Sequence, residues 1–399
     1  MTATITQADV LAWADSYTGP QFHALLSDPP YELAFGGSDW DNTGVAFQAD
    51  TWRKLSKHLL PGAFLMVFAS SVGWHRLAVA LEDAGLRIHP TIFNWVRAGG
   101  WPKSTKMEDP TFAGHRYGRQ ALKPAVEPIL VAQKPYEIGA AESVVLHGAG
   151  ALNVDAGRIP DERGELHRNF GGQKGQLAHG FGHSEGYWYE PHPLGRYPAN
   201  FTLQHDPTCG SVCADTCPVK HFIESSEEDA SRFFLKAGLA EEVAEAIYAA
   251  DPVKYAHRAM TPERDAGLPA ELAQKHRSTW EGLAVGGNGK PYEGERRNHH
   301  PTVKPLELDI WLAKLLLPPD KYAPRRLLVP FSGSFSEGIG GMFAGFEEVQ
   351  GVEQDAEFAE IGRQRAAWWQ KALEVATSRE PVVVRQAGEK LGLYQGSLF

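Results

Sequence analysis

Cysteine is scarce in this chain, which has three in 399 residues, all within nine positions of each other at Cys209, Cys213 and Cys217. So few cysteines exclude the disulfide framework of a small secreted protein. No stretch approaches the roughly 18 to 20 apolar residues of a membrane span, and the start, Met1 to Thr4, lacks the charged and apolar regions of a signal peptide. We therefore expect a cytoplasmic protein with no membrane partner.

Positive charge is also in short supply, because 39 Lys and Arg face 49 Asp and Glu for a net charge of -10. This balance argues against wholesale coating of nucleic acid, although net charge says little about a single groove. From Arg97 to Lys134, seven Lys or Arg face three Asp or Glu. That stretch could follow phosphates or be an ordinary solvated loop.

Two blocks of the chain alternate short apolar strands with amphipathic helices, which predicts an α/β fold with one doubly wound parallel sheet. The first block has predicted strands at Phe22–Ser27, Ala63–Ala69, Arg87–Val96 and Glu127–Ala132, with helices at Thr51–Leu60, ended by Pro61-Gly62, and Trp74–Ala84. The second has helices at Leu306–Leu317, from Glu337 and from Ala356, with strands at Arg326–Val329 and Glu348–Val352.

The part between these blocks is rich in glycine, histidine and aromatic residues, which is typical of long loops. Loops held by a rigid scaffold are a common place for recognition. We therefore predict a catalytic half at 1–135, a loop-rich recognition insertion at 136–300, a cofactor-binding half at 301–378 and an appendage at 379–399.

The motif Asp28-Pro29-Pro30-Tyr31 follows the apolar run that ends the first predicted strand. A carboxylate, a backbone carbonyl that Pro30 keeps out of a helix and an aromatic face together suit a flipped-out base. Asp28 and the Pro29 carbonyl could accept both protons of an exocyclic amino group and draw its lone pair out of conjugation. Tyr31 could stack on the ring, so these residues are the candidate catalytic site.

A strand-to-helix turn near Phe331, Ser332, Gly333, Ser334 and Phe335 is the candidate cofactor site. Backbone amides approach a nucleoside at such turns, and the helix N-terminus favours negative charge. About twenty residues on, Glu353 ends the next strand and could accept hydrogen bonds from two ribose hydroxyls.

Upstream, the motif His300-Pro301-Thr302-Val303-Lys304-Pro305 precedes a predicted helix and would close over the cofactor tail, with Thr302 and Lys304 as its cofactor-binding candidates. Trp40 and Asp41 are further candidates for shaping the pocket. Each of these residues, taken alone, could equally be structural.

Jointly these motifs resemble the S-adenosylmethionine-dependent DNA amino-methyltransferases of the β arrangement, and several resemble the site-specific adenine enzymes of phages and prophages. The resemblance runs from Phe22 to Arg365 and includes, besides the residues above, Ser38-Asp39, Gly99-Gly100-Trp101-Pro102-Lys103-Ser104 and the segment Ala121 to Pro128. It implies a Rossmann-like class I methyltransferase fold with a target-recognition insertion, S-adenosyl-L-methionine as cofactor and double-stranded DNA as partner. Adenine N6 is the preferred target, since cytosine N4 enzymes more often have Ser at the place of Asp28.

The cofactor turn departs from the family pattern Asp-Pro-Phe-x-Gly-x-Gly at its first and last positions, which here are Val329 and Phe335. The family carboxylate would hold the ammonium of the methionine moiety. The family glycine would give the backbone close access to the ligand, where the Cβ and ring of Phe335 are expected to intrude. Three interpretations follow: Glu337 or another side chain compensates, the site takes a modified sulfonium cofactor or transfers a different group, or the chain only binds DNA.

Four residues spaced by four, His205, Cys209, Cys213 and Cys217, could hold a structural Zn²⁺. The same spacing places the cysteines on one face of a helix as small buried residues, and His221 rivals His205.

Other function classes stay open from the sequence, namely an RNA or protein-amide methyltransferase and a non-enzymatic DNA-binding protein, and so does a homodimer. The long insertion favours DNA over the first two substrates.

Overall fold

A nine-stranded sheet forms the centre of the computed structural model. The structure describes residues 1–33, 39–96, 103–122, 124–159, 167–169, 187–189, 192–204, 213, 215, 217–224, 235–237, 264–269, 272, 274–275, 295–300 and 302–378. The sheet strands are β1 (Thr2–Gln7), β2 (Phe22–Ser27), β3 (Leu59–Phe68), β4 (Arg87–Val96), β7 (Val126–Gln133), β10 (Phe201–Gln204), β11 (Leu235–Ala237), β14 (Arg326–Pro330) and β15 (Glu348–Glu353). Three two-stranded ladders pair β5 (Lys103–Lys106) with β6 (Arg116–Gln120), β8 (His167–Asn169) with β9 (Tyr187–Tyr189), and β12 (Gln274–Lys275) with β13 (Glu295–Arg296). The helices are α1 (Val10–Ser16), α2 (Ala49–Lys57), α3 (Trp74–Asp83), α4 (Ala140–His147), α5 (Pro218–Glu224), α6 (Leu306–Leu316), α7 (Ser336–Ala344) and α8 (Ala356–Ser378).

The strand order is β1-β15-β14-β2-β3-β7-β4-β10-β11, and among these described strands only β7 runs opposite to the others. The predicted blocks join where β14 pairs with β2. The prediction of one doubly wound α/β sheet, with the architecture of a Rossmann-like fold, is therefore confirmed.

Side chains along the central strands alternate between two hydrophobic layers, as strand geometry requires. In β2, Ala24 and Leu26 pack with α6, α7 and α8, whereas Leu25 packs with α1, α2 and α3 on the opposite face. Both layers are buried, so β2 and β3 read as continuous apolar runs rather than as alternating ones.

The helices that follow β14 and β2 lie on opposite faces of the sheet, although these two strands are neighbours. The segments that follow the two strands therefore leave towards opposite faces of the sheet, and a crevice opens between the carboxyl ends of these strands. Such a topological switch point is where open α/β sheets bind their ligands. The motif after β2 and the turn after β14 both lie at this point.

The predicted helix end at Pro61-Gly62 was wrong. The helix α2 ends at Lys57, and β3 already begins at Leu59 and runs through Pro61 and Gly62. The β2–β3 register shifts between Phe22 and Ala24, so Pro61 sits in an irregularity where a missing amide donor is tolerated. The Pro61-Gly62 pair, which predicted a helix end, thus lies at a bulge inside a strand.

Two further features were not predicted. The N-terminal strand β1 extends the sheet beside β15, and α1 follows it with Asp9 as its N-cap. The strand β7 is antiparallel because only the β5–β6 hairpin, without a crossover helix, separates it from β4.

The insertion is described only in part, and its strands β10 and β11 extend the sheet beside β4. The segments 264–269 and 295–300 lie against the cofactor half, where Ala266 joins the core layer of α8. The predicted appendage at 379–399 lies outside the described residues. Among the residues described, no helix has the length and apolarity needed to cross a membrane.

Candidate active site

A cavity of about 440 Å³ opens at the carboxyl ends of β2, β14 and β15. The structure brings most of the predicted site residues to its wall: Asp28, Pro29, Pro30, Tyr31, Trp40, Asp41, Thr302, Phe331, Ser332, Gly333, Ser334 and Glu353. Lys304 and Phe335 are not among the lining residues. Two motifs about 300 residues apart in the chain thus form the two sides of one pocket.

The two carboxylate oxygens of Asp28 have different surroundings. Lys304 Nζ donates to Asp28 Oδ2 at 2.5 Å, and both side chains are almost fully buried. Asp28 Oδ1 is buried and has no hydrogen-bond partner in the described part of the chain. A buried acceptor without a donor is costly unless a ligand supplies one. The arrangement therefore leaves one carboxylate oxygen for a ligand.

Lys304 lies beneath the cavity wall, 4% exposed, with Glu127 Oε2 at 4.0 Å from its Nζ. The rings of Phe68 and Tyr31 lie 4.9 and 5.4 Å from the ammonium. Burial alone would lower the pKa of Lys304, but the carboxylates around it, led by Asp28, outweigh burial and raise that pKa. Lys304 is therefore a permanent cation that orients Asp28.

The loop after Tyr31 is fixed by Asp41, one of the predicted pocket residues. Asp41 is buried, and its carboxylate accepts from the amides of Glu32 at 2.9 Å and Leu33 at 3.2 Å. Glu32 has a φ of 57°, a conformation that L residues rarely adopt without such support. Asp41 thereby holds the loop after Tyr31 in shape.

The turn after β14 has three positive φ angles: 56° at Phe331, 47° at Gly333 and 68° at Phe335. Glu353 Oε2 accepts from the Gly333 amide at 2.8 Å. Burial raises the pKa of Glu353, although the amides of Asp355 and Gly333 act the other way. Ser332 Oγ is buried without a partner among the described residues and faces the same cavity.

His300, the first residue of the motif predicted to close over the cofactor tail, lines the cavity and contacts Gly333. A Cβ at Gly333 would lie 2.5 Å from His300 Nε2, so the turn needs glycine there both for contact and for its φ. The ring packs edge-on against Phe358, with centroids 4.6 Å apart. Burial, then Arg264, Lys304 and other cations lower the pKa of His300 to about 3, so it is neutral.

Arg365 of α8, which was not predicted from the sequence, donates hydrogen bonds to the turn after β14 and to the start of α7. This fully buried side chain donates to the Ser334 carbonyl oxygen, and to Ser334 Oγ and Ser336 Oγ at 3.1 Å each. Asn298 Nδ2 donates to the same Ser334 Oγ at 3.0 Å. Ser334 thus accepts hydrogen bonds both from α8 and from the end of the insertion. No local pattern in the sequence indicates these long-range contacts.

The far end of the cavity lies beyond Glu353 and is lined by Ala8, Asp9, Val10, Gln354, Asp355 and Phe358. Asp9 caps α1 by accepting from the amides of Leu11 and Ala12. An Asp before a short apolar helix is a recognisable N-cap signal, so the sequence could have indicated this residue.

The ring of Phe335 points away from the cavity, contrary to the expectation that it would intrude on the ligand. Phe335 is 1% exposed and belongs to the core layer of α7 and α8. Its ring occupies space left by two glycines, because a Cβ at Gly338 or Gly351 would lie 2.2 or 2.7 Å from it. The backbone at position 335 keeps the positive φ that a glycine would allow.

Val329, the other departure from the family pattern, is fully buried in β14 and offers no polar group. Glu337, in the first turn of α7, does line the cavity and is 4% exposed. Burial and then the neighbouring Asp28 raise the pKa of Glu337 to about 7, while Lys304 and Arg365 act in the opposite direction.

The proposed zinc ligands are only partly described, because His205 and Cys209 lie outside the described residues. Cys217 is fully buried and packs with Val96, Leu203 and Val219, and Cys213 packs beside them. In the part of the chain that the structure describes, no three His, Cys, Asp or Glu side chains are grouped to hold a metal ion. The zinc site stays a prediction.

Comparison with known proteins gave matches only to solved structures: no family model matches the chain, and no curated protein matches it. The M1.HpyAVI–SAM complex shares 14% identity over 92% of this chain and 99% of that chain, with a TM-score of 0.39. PvuII DNA methyltransferase (cytosine-N4-specific) shares 12% identity over 94% of this chain and 92% of its own, with a TM-score of 0.42. The activity of this chain is therefore inferred from its own site.

Proposed function

We propose that this chain is an S-adenosylmethionine-dependent methyltransferase that acts on the exocyclic amino group of a base in DNA. The observation that carries the proposal is Asp28 Oδ1, a buried acceptor without a described partner, on the wall of a nucleoside-sized cavity. Lys304 fixes the other oxygen of this carboxylate, so the acceptor has one orientation.

Asp28 Oδ1 and the Pro29 carbonyl would accept the two N–H groups of the target amine. An aromatic amine is a weak nucleophile because its lone pair is delocalised, and two acceptors draw that pair out of the ring plane. Tyr31, on the same wall, would stack on the extruded base. Positioning and exclusion of water then account for most of the acceleration.

The cofactor half of the cavity fits a nucleoside with a charged tail. Glu353 would accept from two ribose hydroxyls, and Phe331 would present an apolar face to the adenine ring. The contact between His300 and Gly333 closes the wall, and the buried Ser332 hydroxyl awaits a partner in the same space. When bound, S-adenosylmethionine supplies the electrophilic methyl group; Thr302 and Ser334 would border its tail.

The proton of the amine does not need to leave before the new bond forms, because it becomes acidic only as nitrogen gains positive charge. Asp28 is then its nearest acceptor. Lys304 remains bound to Oδ2, so the proton would move to Oδ1, the oxygen that has no hydrogen-bond partner among the described residues. This role needs orientation of Asp28 rather than an unusually strong base.

Double-stranded DNA as substrate is supported by the β5–β6 hairpin, which leaves the sheet between β4 and β7. The root of this hairpin reaches Glu127, which lies 4.0 Å from Lys304. At its far end Arg116 is exposed, and so are the rings of Phe112 and Tyr117, at 45% and 57%. Exposed rings beside a cation suit contact with a distorted duplex near the flipped base.

We place target recognition in the insertion at 136–300 and take adenine N6 as the target, since the motif begins with Asp28 rather than Ser. Nucleoside mass spectrometry of DNA from cells expressing the chain tests both points, with the Asp28→Ala variant as control. We expect N6-methyladenine with the intact chain only. An N4-methylcytosine peak would instead identify cytosine N4 as the target, and the absence of any adduct would contradict the proposed activity.

A further inference from the structure

The cofactor turn lacks a carboxylate for the cationic tail that the proposed function requires it to bind. At the position where similar enzymes have an aspartate, Val329 is fully buried within β14, and its neighbour Pro330 has no amide donor. One unmet charge-assisted hydrogen bond is worth about 1.5 to 3 kcal/mol, or roughly ten- to a hundredfold in affinity. Another acceptor is therefore expected on the cavity wall.

A group of buried charged side chains lies below this turn. We define the buried charge cluster as Asp28, Glu127, Lys304, Glu337 and Arg365, which the described residues bring together from five segments of the chain. Three carboxylates here face two cations. On α6, the buried Asp309 adds a further carboxylate next to Gly340, one turn beyond Glu337. His300 is neutral and supplies no cation.

Glu337 is the member of this cluster that both lines the cavity and has no ion pair at 4.0 Å or less among the described residues. Asp28, by contrast, already binds Lys304, and Glu127 does not reach the cavity wall. The first turn of α7 holds Glu337 directly after the cofactor turn, so its carboxylate lies on the side of the cavity nearest Asp28. A bound cofactor would bring its tail to that side, since its methyl group must face the target amine.

We infer that Glu337 replaces the missing carboxylate and binds the α-ammonium group of the cofactor's methionine moiety, an inference that rests on the proposed function. The ammonium of the ligand would then pair with a buried carboxylate that has no ion pair among the described residues. The acceptor has moved from the end of β14 to the start of α7, a shift of eight residues along the chain.

One consequence is a coupling between proton release and ligand binding. The pKa of Glu337 is raised to about 7 by burial and by Asp28, so part of the protein carries a proton there at neutral pH. An ammonium ligand favours the ionised form and therefore expels that proton. Below pH 7 the affinity should fall by up to about tenfold per pH unit, as linkage requires.

The test compares two ligands by titration calorimetry: S-adenosylhomocysteine, and its analogue in which hydrogen replaces the α-amino group. The full-length wild-type chain should prefer S-adenosylhomocysteine by about ten- to a hundredfold. The Glu337→Gln variant should bind both ligands equally, and the affinity of this variant should not change between pH 5.5 and 8. Equal preference in the wild type and the variant would overturn the inference.

Two further variants separate loss of the acceptor from general damage. Glu127→Gln makes the same charge change in the buried charge cluster away from the cavity, so it should keep the preference for the amino group. Adding Val329→Asp to Glu337→Gln should restore that preference. Gln is close in shape to protonated Glu, the form already present below pH 7, so the variant should fold.

Failure of the inference and failure of the proposed function give different results. If the wild-type chain binds neither ligand, the methyltransferase proposal fails and the inference fails with it. If the wild type binds S-adenosylhomocysteine and Glu337→Gln keeps the preference for the amino group, only the inference fails.

Discussion

The two strand ends that meet at the cavity are built in opposite ways. At the end of β2, Asp28 is positioned by charged side chains, with Lys304 at 2.5 Å and Glu127 behind it. At the end of β14, the turn is shaped by backbone: three positive φ angles, a glycine amide bound to Glu353, and hydroxyls held by Arg365. The geometry after β2 depends mainly on charged side chains, whereas the geometry after β14 depends mainly on the backbone conformation.

The two motifs also differ in how far they follow the pattern of the family that they resemble. At the end of β2, the motif from Asp28 to Tyr31 has the form of that pattern, and in the proposed function each of these groups contacts the base. At the end of β14, Phe335 replaces a glycine while keeping the left-handed conformation that the glycine would provide. Position 335 can therefore carry a residue other than glycine while the turn keeps its backbone conformation, provided that the side chain packs outside the cavity.

Asp28→Ala should give the largest effect, because it removes the acceptor that aligns the amine. We expect methyl transfer to fall by at least about a thousandfold, near the upper range for one preorganised polar group. Binding of S-adenosylhomocysteine should change little, since the cofactor turn is formed by other residues. Single-turnover kinetics on duplex DNA, with calorimetry of the same sample, would measure both. Retained transfer would refute the role of Asp28.

Lys304→Met should mainly reduce stability, because it leaves the buried Asp28 and Glu127 without their shared cation. Breaking one partner of a buried pair costs about 3 to 5 kcal/mol in the free energy of unfolding. The double variant Asp28→Asn with Lys304→Met should recover part of that loss, as expected for coupled residues. Urea unfolding of the two single variants and the double variant would show this. Additive losses would mean that the pair is not coupled.

Phe335→Gly tests whether the ring belongs to the core rather than to the ligand site. Removing a buried Phe side chain costs about 3 to 5 kcal/mol, and glycine at a φ of 68° returns about 1 kcal/mol. We therefore expect a loss of about 2 to 4 kcal/mol with cofactor affinity unchanged to within about threefold. Phe335→Ala should be about 1 kcal/mol less stable still. A large gain in affinity on replacement by glycine would show that the ring does obstruct the ligand.

Six strands of the sheet, the helices of the cofactor half and the two strand-end motifs were predictable, because each depends on a local run of residues. Asp28 and Glu353 were found because they end apolar strands whose carboxyl ends meet. The contacts of His300, the hydrogen bonds of Arg365 and the packing of Phe335 were not, since each depends on a partner far along the chain. Pro61 misled for the same reason: whether it ends a helix or sits in a bulge is decided by pairing with β2.

The last expected effect concerns the stability of the ligand-free protein, which depends on pH through Glu337, and its sign follows from proton linkage. The pKa of Glu337 is about 7 in the folded protein and about 4.5 when unfolded, so the folded state binds the extra proton between these values. The stability that this proton contributes is present below about pH 4.5 and is lost as pH rises to about 7, with a slope of at most about 1.4 kcal/mol per pH unit. Glu337→Gln cannot ionise, so relative to the wild type it should gain stability across that window. Thermal unfolding of both proteins at pH 5 and pH 8 measures the difference. Saturating S-adenosylhomocysteine should cancel the gain, because the ammonium would then balance the carboxylate at the one strand end that has lost its family acid. If the gain persists with ligand bound, the charge at Glu337 is not balanced by the cofactor, and the turn after β14 would need no acid at all.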